Sequence, residues 1–524
     1  MSLEGSDLLT EAKSLSNQYQ CASFVVVQYP ARTAELTPFH VAQVVPIDVL
    51  PDDVLLEIFD FCMDGDEDQP TKKGTEAWQS LVHVCRRWRS VVFGSPRRLD
   101  LQLVCTPKTP VKEMLNIWPP FPLSISGRVS GTSGVDNIIA ILEHRDRTRK
   151  IHLEFLKSKW EDIYAPMQVQ FPALTYLRLK AYDASFLTHT MPILPDSFLG
   201  RSAPHLQTLD LCHITFPGLP KFLISTTHLV TLRLYGLAIT DSGFISPEVT
   251  ATCLSGLTSL EILWLEFAFP PRRSYPEGGC RLPPPPTGHV LPALTRFKFD
   301  GTNNEYLGVL VDWIDPSRLE FLQIFLYEQD FDDPQLELAQ FIRHTPVSVA
   351  LKKARVVIYN NCVNITLSSQ SSSDRELTMV IITESLDFQL ASLAQLFTLS
   401  LPPFPMLEEL YISEYFHFTV VQYGDIGDDN WNTLWLDFLR PFASIKNLYI
   451  SKQFAFDVVR ALQELIGDRT TEALPALKNI FLEDNQPRRT IRKGIQQFVA
   501  ARQLSGHPVD VSHWERTRCK EGDN

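Results

Sequence analysis

The residues of this chain that could carry bond chemistry are scattered, and none has the company a reaction needs. There is no G-x-S-x-G elbow, no phosphate loop ending in Lys-Ser or Lys-Thr, and no H-E-x-x-H zinc helix. Gly131-Thr132-Ser133-Gly134 is too short for the elbow and brings no partner pattern. The thirteen histidines are dispersed. Asp64-Gly65-Asp66-Glu67-Asp68 begins like a calcium loop. Gln69, however, fills the sixth place, where glycine makes the turn, and Thr75 the twelfth, where a bidentate glutamate belongs, so it reads as a solvated acidic loop. Nine cysteines run from Cys21 to Cys519 with no C-x-x-C pair. That odd, scattered set argues for reduced thiols in cytoplasm or nucleus rather than a disulfide framework or a structural zinc site. The chemistry left to expect is recognition, with no catalytic residue, cofactor or metal.

Bulk numbers narrow the partners. The 524 residues are 44% hydrophobic and 21% charged, as in an ordinary folded protein. A net charge of −13 argues against a phosphate-backbone binder, which needs a basic face. The N-terminus lacks the basic start and apolar run of a secretory signal, and no apolar stretch approaches bilayer length, so neither nucleic acid nor membrane is expected as a partner. Asn364-Ile365-Thr366 matches the glycosylation acceptor pattern, which without a signal peptide reads as chance.

The elements that would position a recognition site come in two kinds. The first spans Leu50 to Trp88. Leu50-Pro51 opens it, with proline at a helix start and Asp52 and Asp53 in the first turn, where the helix dipole favours negative charge. Val54, Leu55, Ile58, Phe59 and Cys62 then recur at helical spacing. After the acidic loop, Trp78, Leu81, Val82, Cys85 and Trp88 fall at three- and four-residue intervals as a second segment, with Arg86, Arg87 and Arg89 towards its end. Those arginines suit either an acidic partner or a helix C-terminus. The LP start, the VLLEIF core and the VCRRWR end together resemble the F-box, the helical module that docks a protein onto the Skp-type adaptor of a cullin–RING ubiquitin ligase. The resemblance covers about a tenth of the chain, and the loop from Met63 to Glu76 is longer than a compact F-box needs. It implies adaptor-facing or adaptor-supporting roles for Leu50, Pro51, Leu55, Ile58, Leu81, Val84, Cys85 and Trp88.

The second kind repeats. FPALTYLRL from Phe171, APHLQTLDL from Ala203, TTHLVTLRL from Thr226, LTSLEILWL from Leu257, LPALTRFKF from Leu291 and PSRLEFLQI from Pro316 share one L-x-x-L-x-L template. FPMLEELYI from Phe404, FASIKNLYI from Phe442 and LPALKNIFL from Leu474 continue it, and five of the nine carry proline just before the strand. The last two apolar residues alternate as one face of a strand requires, and a single copy must stack on neighbours to bury its edge. The template resembles the strand of a leucine-rich repeat, in a degenerate form without the usual asparagine. Weaker copies are expected between residues 328 and 403, in KKARVVIYNN and SLDFQLAS.

The expected fold is α/β: a helical F-box module followed by a curved solenoid with a parallel sheet. Its divisions are a weakly structured segment over 1–43, the module over 44–95, a connecting region over 96–145, the repeats over 146–505, and a strand and tail over 506–524. Leu99, Leu101 and Leu103 alternate like a strand, Val135 to His144 reads as a helix, and Lys493 to Leu504 as a helix capping the stack. The two modules together resemble F-box/leucine-rich-repeat proteins, abundant in mushroom-forming fungi. That resemblance implies a non-catalytic substrate receptor of an SCF-type ubiquitin ligase, bound to a Skp-type adaptor and through it to a cullin, holding an unidentified protein target. The alternatives are an adaptor-bound scaffold outside ubiquitin transfer and an enzyme with a degenerate site. If the leucines turn inward, the residue between the last two faces outward: Arg178, Asp210, Arg233, Trp264, Lys298, Gln323, Tyr411, Tyr449 and Phe481. Of these, Trp264, Tyr411, Tyr449 and Phe481 carry the aromatic rings that dominate interfaces and are the expected target anchors, the alternative being that the chain's own C-terminal segment or long loops cover these rings.

Overall fold

The computed structural model describes residues 49–515, apart from 64–71, 130, 183–190, 238–245, 268–290, 302–303, 315–316, 328–335, 347–350, 370–374, 384–385, 402–403, 416–428, 466 and 484–486. The N-terminal segment over 1–43, the acidic loop, the proline-rich run from Pro270 and the last nine residues lie outside that set. The chain divides into two compact units, up to Leu101 and from Gln102 onward.

The first unit is three helices, Asp52–Met63, Lys72–Val84 and Arg86–Gly94. Pro51 stands one place before the first, its carbonyl accepting the N–H of Leu55 at 3.0 Å, so it is the cap and not the first helical residue. Leu55, Phe59, Trp78, Val82 and Val92 form the core, with the Phe59 and Trp88 rings 4.8 Å apart. The spacing of Trp78 to Trp88 predicts one helix, but the chain breaks at Cys85. Cys85 is extended, and its Sγ accepts the N–H of Trp88 at 3.4 Å as an N-cap. Arg86 and Arg87 therefore open a new helix, where the dipole disfavours cations. Arg87 is compensated by Asp52 at 2.7 Å and also donates to the Leu50 carbonyl, tying the third helix to the start of the first.

The second unit is an α/β repeat solenoid on one long, mostly parallel sheet. Strands β1 (Leu103–Cys105), β2 (Leu123–Val129), β3 (Thr148–Leu156), β4 (Tyr176–Tyr182), β5 (Thr208–Cys212), β6 (Thr231–Leu237), β7 (Ile262–Phe267), β8 (Arg296–Asp300) and β9 (Phe321–Tyr327) lie side by side in parallel. Residues 96–145 are thus not a mere connection. They supply β1 and β2 and the helices Val111–Ile117 and Thr132–Leu142. Of the alternating leucines only Leu103 is in a strand, because Arg98 to Asp100 turn the chain first.

The proline before each strand has a local cause. Phe171, Ala203, Leu291, Phe404 and Leu474 begin β-turns whose carbonyl accepts the N–H of the leading leucine three residues on, at 3.1–3.2 Å where Leu174, Leu206, Leu294 and Leu407 donate and 3.0 Å for Leu477. Proline at the second place of such a turn has its φ already set. The next residue's carbonyl then accepts two N–H groups from the following repeat: Thr175 takes Gln207 and Thr208, Gln207 takes Val230 and Thr231, and Val230 takes Glu261 and Ile262. The same pairing recurs from Lys352 through Glu408 to Lys446. Inside, Leu177, Leu209, Leu263 and Phe297 stack in one fully buried row, each contributing about 2 kcal/mol of apolar burial.

The sheet departs from the expected parallel order once. β10 (Lys353–Ile358), β11 (Cys362–Ser368) and β12 (Glu376–Ile382) form a meander in which β11 runs antiparallel to both neighbours. It is inserted backwards, so β12 pairs with β9 and β10 with β13 (Glu409–Glu414). KKARVVIYNN is therefore strand β10, whereas SLDFQLAS belongs to the helix Leu386–Gln395. β14 (Asn447–Ile450), β15 (Asn479–Leu482) and β16 (Asp510–His513) complete the parallel series.

The final helix, Arg489–Leu504, packs on the helix Ala455–Gln463 through Ile491, Ile495 and Phe498. Gly494 makes the approach possible: a Cβ there would meet Val459 and Gln463 side chains at 2.8 Å. Arg502 is wholly buried, and among the described residues no carboxylate lies within ion-pair distance of it. Its Nη1 donates to the Thr470 carbonyl at 3.0 Å, and its Nη2 to those of Leu477 at 3.1 Å, Pro475 at 3.2 Å and Leu474 at 3.4 Å. Burial lowers its pKa, but a guanidinium stays charged throughout the working pH range. Arg502→Ala should leave these carbonyls unpaired and lower stability by about 3 kcal/mol. Urea unfolding of the full chain measures this, and a loss below about 1 kcal/mol would show the anchor to be dispensable.

Candidate functional site

The leucine face of the sheet is closed, so recognition falls to the other. There the strand register draws one continuous row. Ser126, His152, Arg178, Asp210, Arg233, Trp264, Lys298 and Gln323 are successive partners from β2 to β9. Through the meander the row continues as Thr378, Thr366 and Arg355, then Tyr411, Tyr449, Phe481 and Ser512. All nine positions expected to face outward lie in this row, and Asp210 alone of them is buried. The sequence reading missed Arg355, Thr366 and Thr378, because the meander has no L-x-x-L-x-L template to count from.

The N-terminal half of the row is charged. Arg178 Nε lies 3.4 Å from Asp210 Oδ2. Burial pushes the Asp210 carboxyl above its usual pKa, while Arg178, Arg233 and Lys180 pull it back. The Arg233 guanidinium sits 4.0 Å over the Trp264 ring, and Tyr235 meets that ring edge-on at 6.1 Å. Lys298 Nζ is 5.1 Å from the centre of the Phe325 ring. One row further on, Tyr327 donates to Asp300 at 2.7 Å, and burial raises both Asp300 and Glu266, each other's neighbours across β7 and β8.

The C-terminal half is aromatic. Tyr411 and Tyr449 stack at 4.1 Å, and Tyr449 and Phe481 at 4.5 Å, all nearly parallel. Tyr411 donates its hydroxyl to Glu409 at 3.0 Å, which with burial raises its pKa. Trp514, just past β16, packs edge-on against Tyr411 at 5.9 Å and Tyr449 at 5.5 Å. The chain's own end thus occupies part of this aromatic surface while Tyr411, Tyr449 and Phe481 keep some exposure. The alternative expected for these rings, cover by the chain's own C-terminal segment, is thus met in part by Trp514.

In the first unit, the expected adaptor residues divide by burial. Leu55 is fully buried and holds the unit together. Leu50, Ile58, Leu81, Cys85 and Trp88 are half-buried, and Pro51 and Val84 are exposed. The largest exposed apolar side chain of the first helix is Phe61, at 82%, with Val54 at 39% two turns back on the same face. Val54, Ile58 and Phe61 fall at i, i+4 and i+7, a spacing readable in the sequence as a second stripe beside the buried one.

Among the described residues no group of histidines, cysteines and carboxylates could hold a metal ion, and no helix is long and apolar enough to cross a membrane. No family model matches the chain, and no curated protein does. Among solved structures, it matches the leucine-rich repeat-containing protein LegL7 of Legionella pneumophila at 12% identity, over 76% of this chain and 97% of that one, with a TM-score of 0.27.

The raised pKa of Glu266 has a pH consequence. The unfolded side chain ionises near 4.5 and the folded one at higher pH, so the fold loses stability as pH rises through that window. Glu266→Gln should remove this loss. Relative to the unsubstituted protein, the variant should gain stability between pH 4.5 and neutrality in urea unfolding. A difference that stays constant with pH would refute the raised pKa.

Proposed function

We propose that this protein is the substrate-recognition subunit of an SCF-type ubiquitin ligase. The observation that carries the reading is a stripe of exposed Val54 and Phe61 with half-buried Ile58 between them, on a three-helix unit whose sequence resembles the F-box. An apolar stripe left bare on a small helical unit is a docking face for a partner. The Skp-type adaptor would cover that stripe together with Leu50, Pro51, Leu81, Val84 and Trp88, with Leu55 and Cys85 supporting it from within. The open face of the repeat sheet would hold the protein target, with Trp264, Tyr411, Tyr449 and Phe481 as aromatic anchors. Such a subunit performs no bond chemistry. It keeps a target lysine near a charged ubiquitin carrier and so raises the effective concentration.

Adaptor capture tests the first half. Leu55→Ala would unfold the unit and is uninformative, so the surface variant Val54→Ser/Phe61→Ser is the better probe. It should fold normally by circular dichroism yet lose most of the adaptor from co-purification, as Leu50→Ala/Pro51→Ala should. Full recovery of adaptor with both variants would sink the reading. Recovery of adaptor without cullin would favour a scaffold acting outside ubiquitin transfer.

Target capture tests the second half. Tyr411→Ala/Tyr449→Ala should leave adaptor recovery and folding intact. It should reduce the proteins labelled in the native cell only when the proteasome is inhibited. An unchanged labelled set would remove the C-terminal rings from the target site.

A further inference from the structure

The charged half of the open face has a spacing that selects a kind of partner. Along the register row the residues alternate: Arg178 on β4, Asp210 on β5, Arg233 on β6, Trp264 on β7 and Lys298 on β8. The three cations therefore stand on every second strand. Among the described residues only Arg178 has a carboxylate within ion-pair distance; Arg233 acts on Asp210, and Lys298 on Glu266 and Asp300, from further off, and both cations rest on aromatic rings. Two buried N–H groups at the same place, Arg233 Nε and Trp264 Nε1, have no hydrogen-bond acceptor among the described residues. A guanidinium laid on a ring is pre-oriented and keeps its outer edge for a carboxylate.

Neighbouring strands are about 4.8 Å apart, so the cations repeat every ~9.6 Å. A polyproline II chain rises about 3.1 Å per residue with three residues per turn, which brings every third side chain to one side every ~9.3 Å. The two periods agree. A fully extended strand places same-side residues about 6.7 Å apart and does not match. The corner made by the Trp264 and Tyr235 rings is the kind of aromatic surface on which proline-rich segments dock.

We propose that the open face between β4 and β8 binds an acidic polyproline II segment of a protein partner. Carboxylates at every third residue would meet Arg178, Arg233 and Lys298 in turn, with prolines between them against Trp264 and Tyr235. The proposal rests on the open face being the target-binding surface and gives that target its chemistry. With the whole chain at −13, the attraction is local to these strands, so spacing rather than net charge sets the selectivity.

The full-length protein is titrated against a fluorescein-labelled peptide of Glu-Pro-Pro repeats, at low ionic strength, with anisotropy as the readout. Gln-Pro-Pro repeats and a peptide with glutamate at every second residue serve as comparisons. The Glu-Pro-Pro peptide should bind and both comparison peptides should bind several-fold more weakly. Arg233→Ala/Lys298→Ala should weaken binding about tenfold, as two half-exposed charge pairs would. Lys298→Ala alone, which breaks no hydrogen bond, should show part of that loss at unchanged melting temperature. Arg440→Ala, which removes a cation paired with Asp437 and Glu472 elsewhere on the unit, should change nothing. Equal binding of the three peptides, indifference to the double substitution, or an equal effect of Arg440→Ala would each overturn the proposal. Adaptor co-purification reads the receptor assignment separately, so a failure of the peptide to bind leaves that assignment standing, and loss of the adaptor leaves this one.

Discussion

Most repeats from Thr175 to Lys446 are joined through one backbone carbonyl. It stands between the leading leucine and the strand, and it accepts two N–H groups from the next repeat, as Thr175 does from Gln207 and Thr208. In parallel pairing a slip of one residue would exchange the buried and open faces of a strand. The doubled bond fixes the register before the strand begins, and the β-turn ahead of it delivers the leucine. The usual asparagine is missing from these repeats, and here backbone groups do the joining. Where the seam runs, it keeps the leucines stacked on one face and the row in register on the other.

Much of this was readable from the chain because it is local and repeated. Phe171-Pro172-Ala173-Leu174 and its copies encode turn and strand in adjacent residues, and so the outward row from Arg178 to Phe481 follows by counting. What was hidden depends on distant partners. Residues 103–129 look like a linker, since Pro107, Pro110, Pro119, Pro120 and Pro122 obscure the two short strands. The reversed order of β10 to β12 is set by which neighbours are free, and alternation in KKARVVIYNN is equally compatible with a parallel strand. The break at Cys85 is invisible to periodicity, since Trp78 to Trp88 keep helical spacing across it; the sulfur that caps the new helix looks like a packing residue.

The same contrast divides the candidate sites. In the helix Asp52–Met63 a shift of one residue carries a side chain through about 100°, and that separates buried Leu55 from exposed Val54. A list of apolar residues mixes the two roles, and burial separates them. On the sheet, identity was legible but company was not. Arg233 reads as a free charge in the sequence and is found lying on Trp264, while Tyr411 and Tyr449, for which cover by the C-terminal segment was the alternative, are found against Trp514. Residues far apart in the chain supply those neighbours.

The meander also bears on how the chain finds its structure. Each parallel strand pairing requires the intervening crossover to close first, whereas β10 and β11 are joined by only Tyr359, Asn360 and Asn361, with Tyr359 donating to the Cys362 carbonyl at 2.8 Å. A hairpin of this kind forms in about 1–10 μs, and its sequence-local contacts cost little loop-closure entropy. In an array where each repeat contacts only its neighbours, growth can start anywhere and spread. The antiparallel interruption is therefore where strand pairing costs the least loop closure, with one edge facing β9 and the other facing β13.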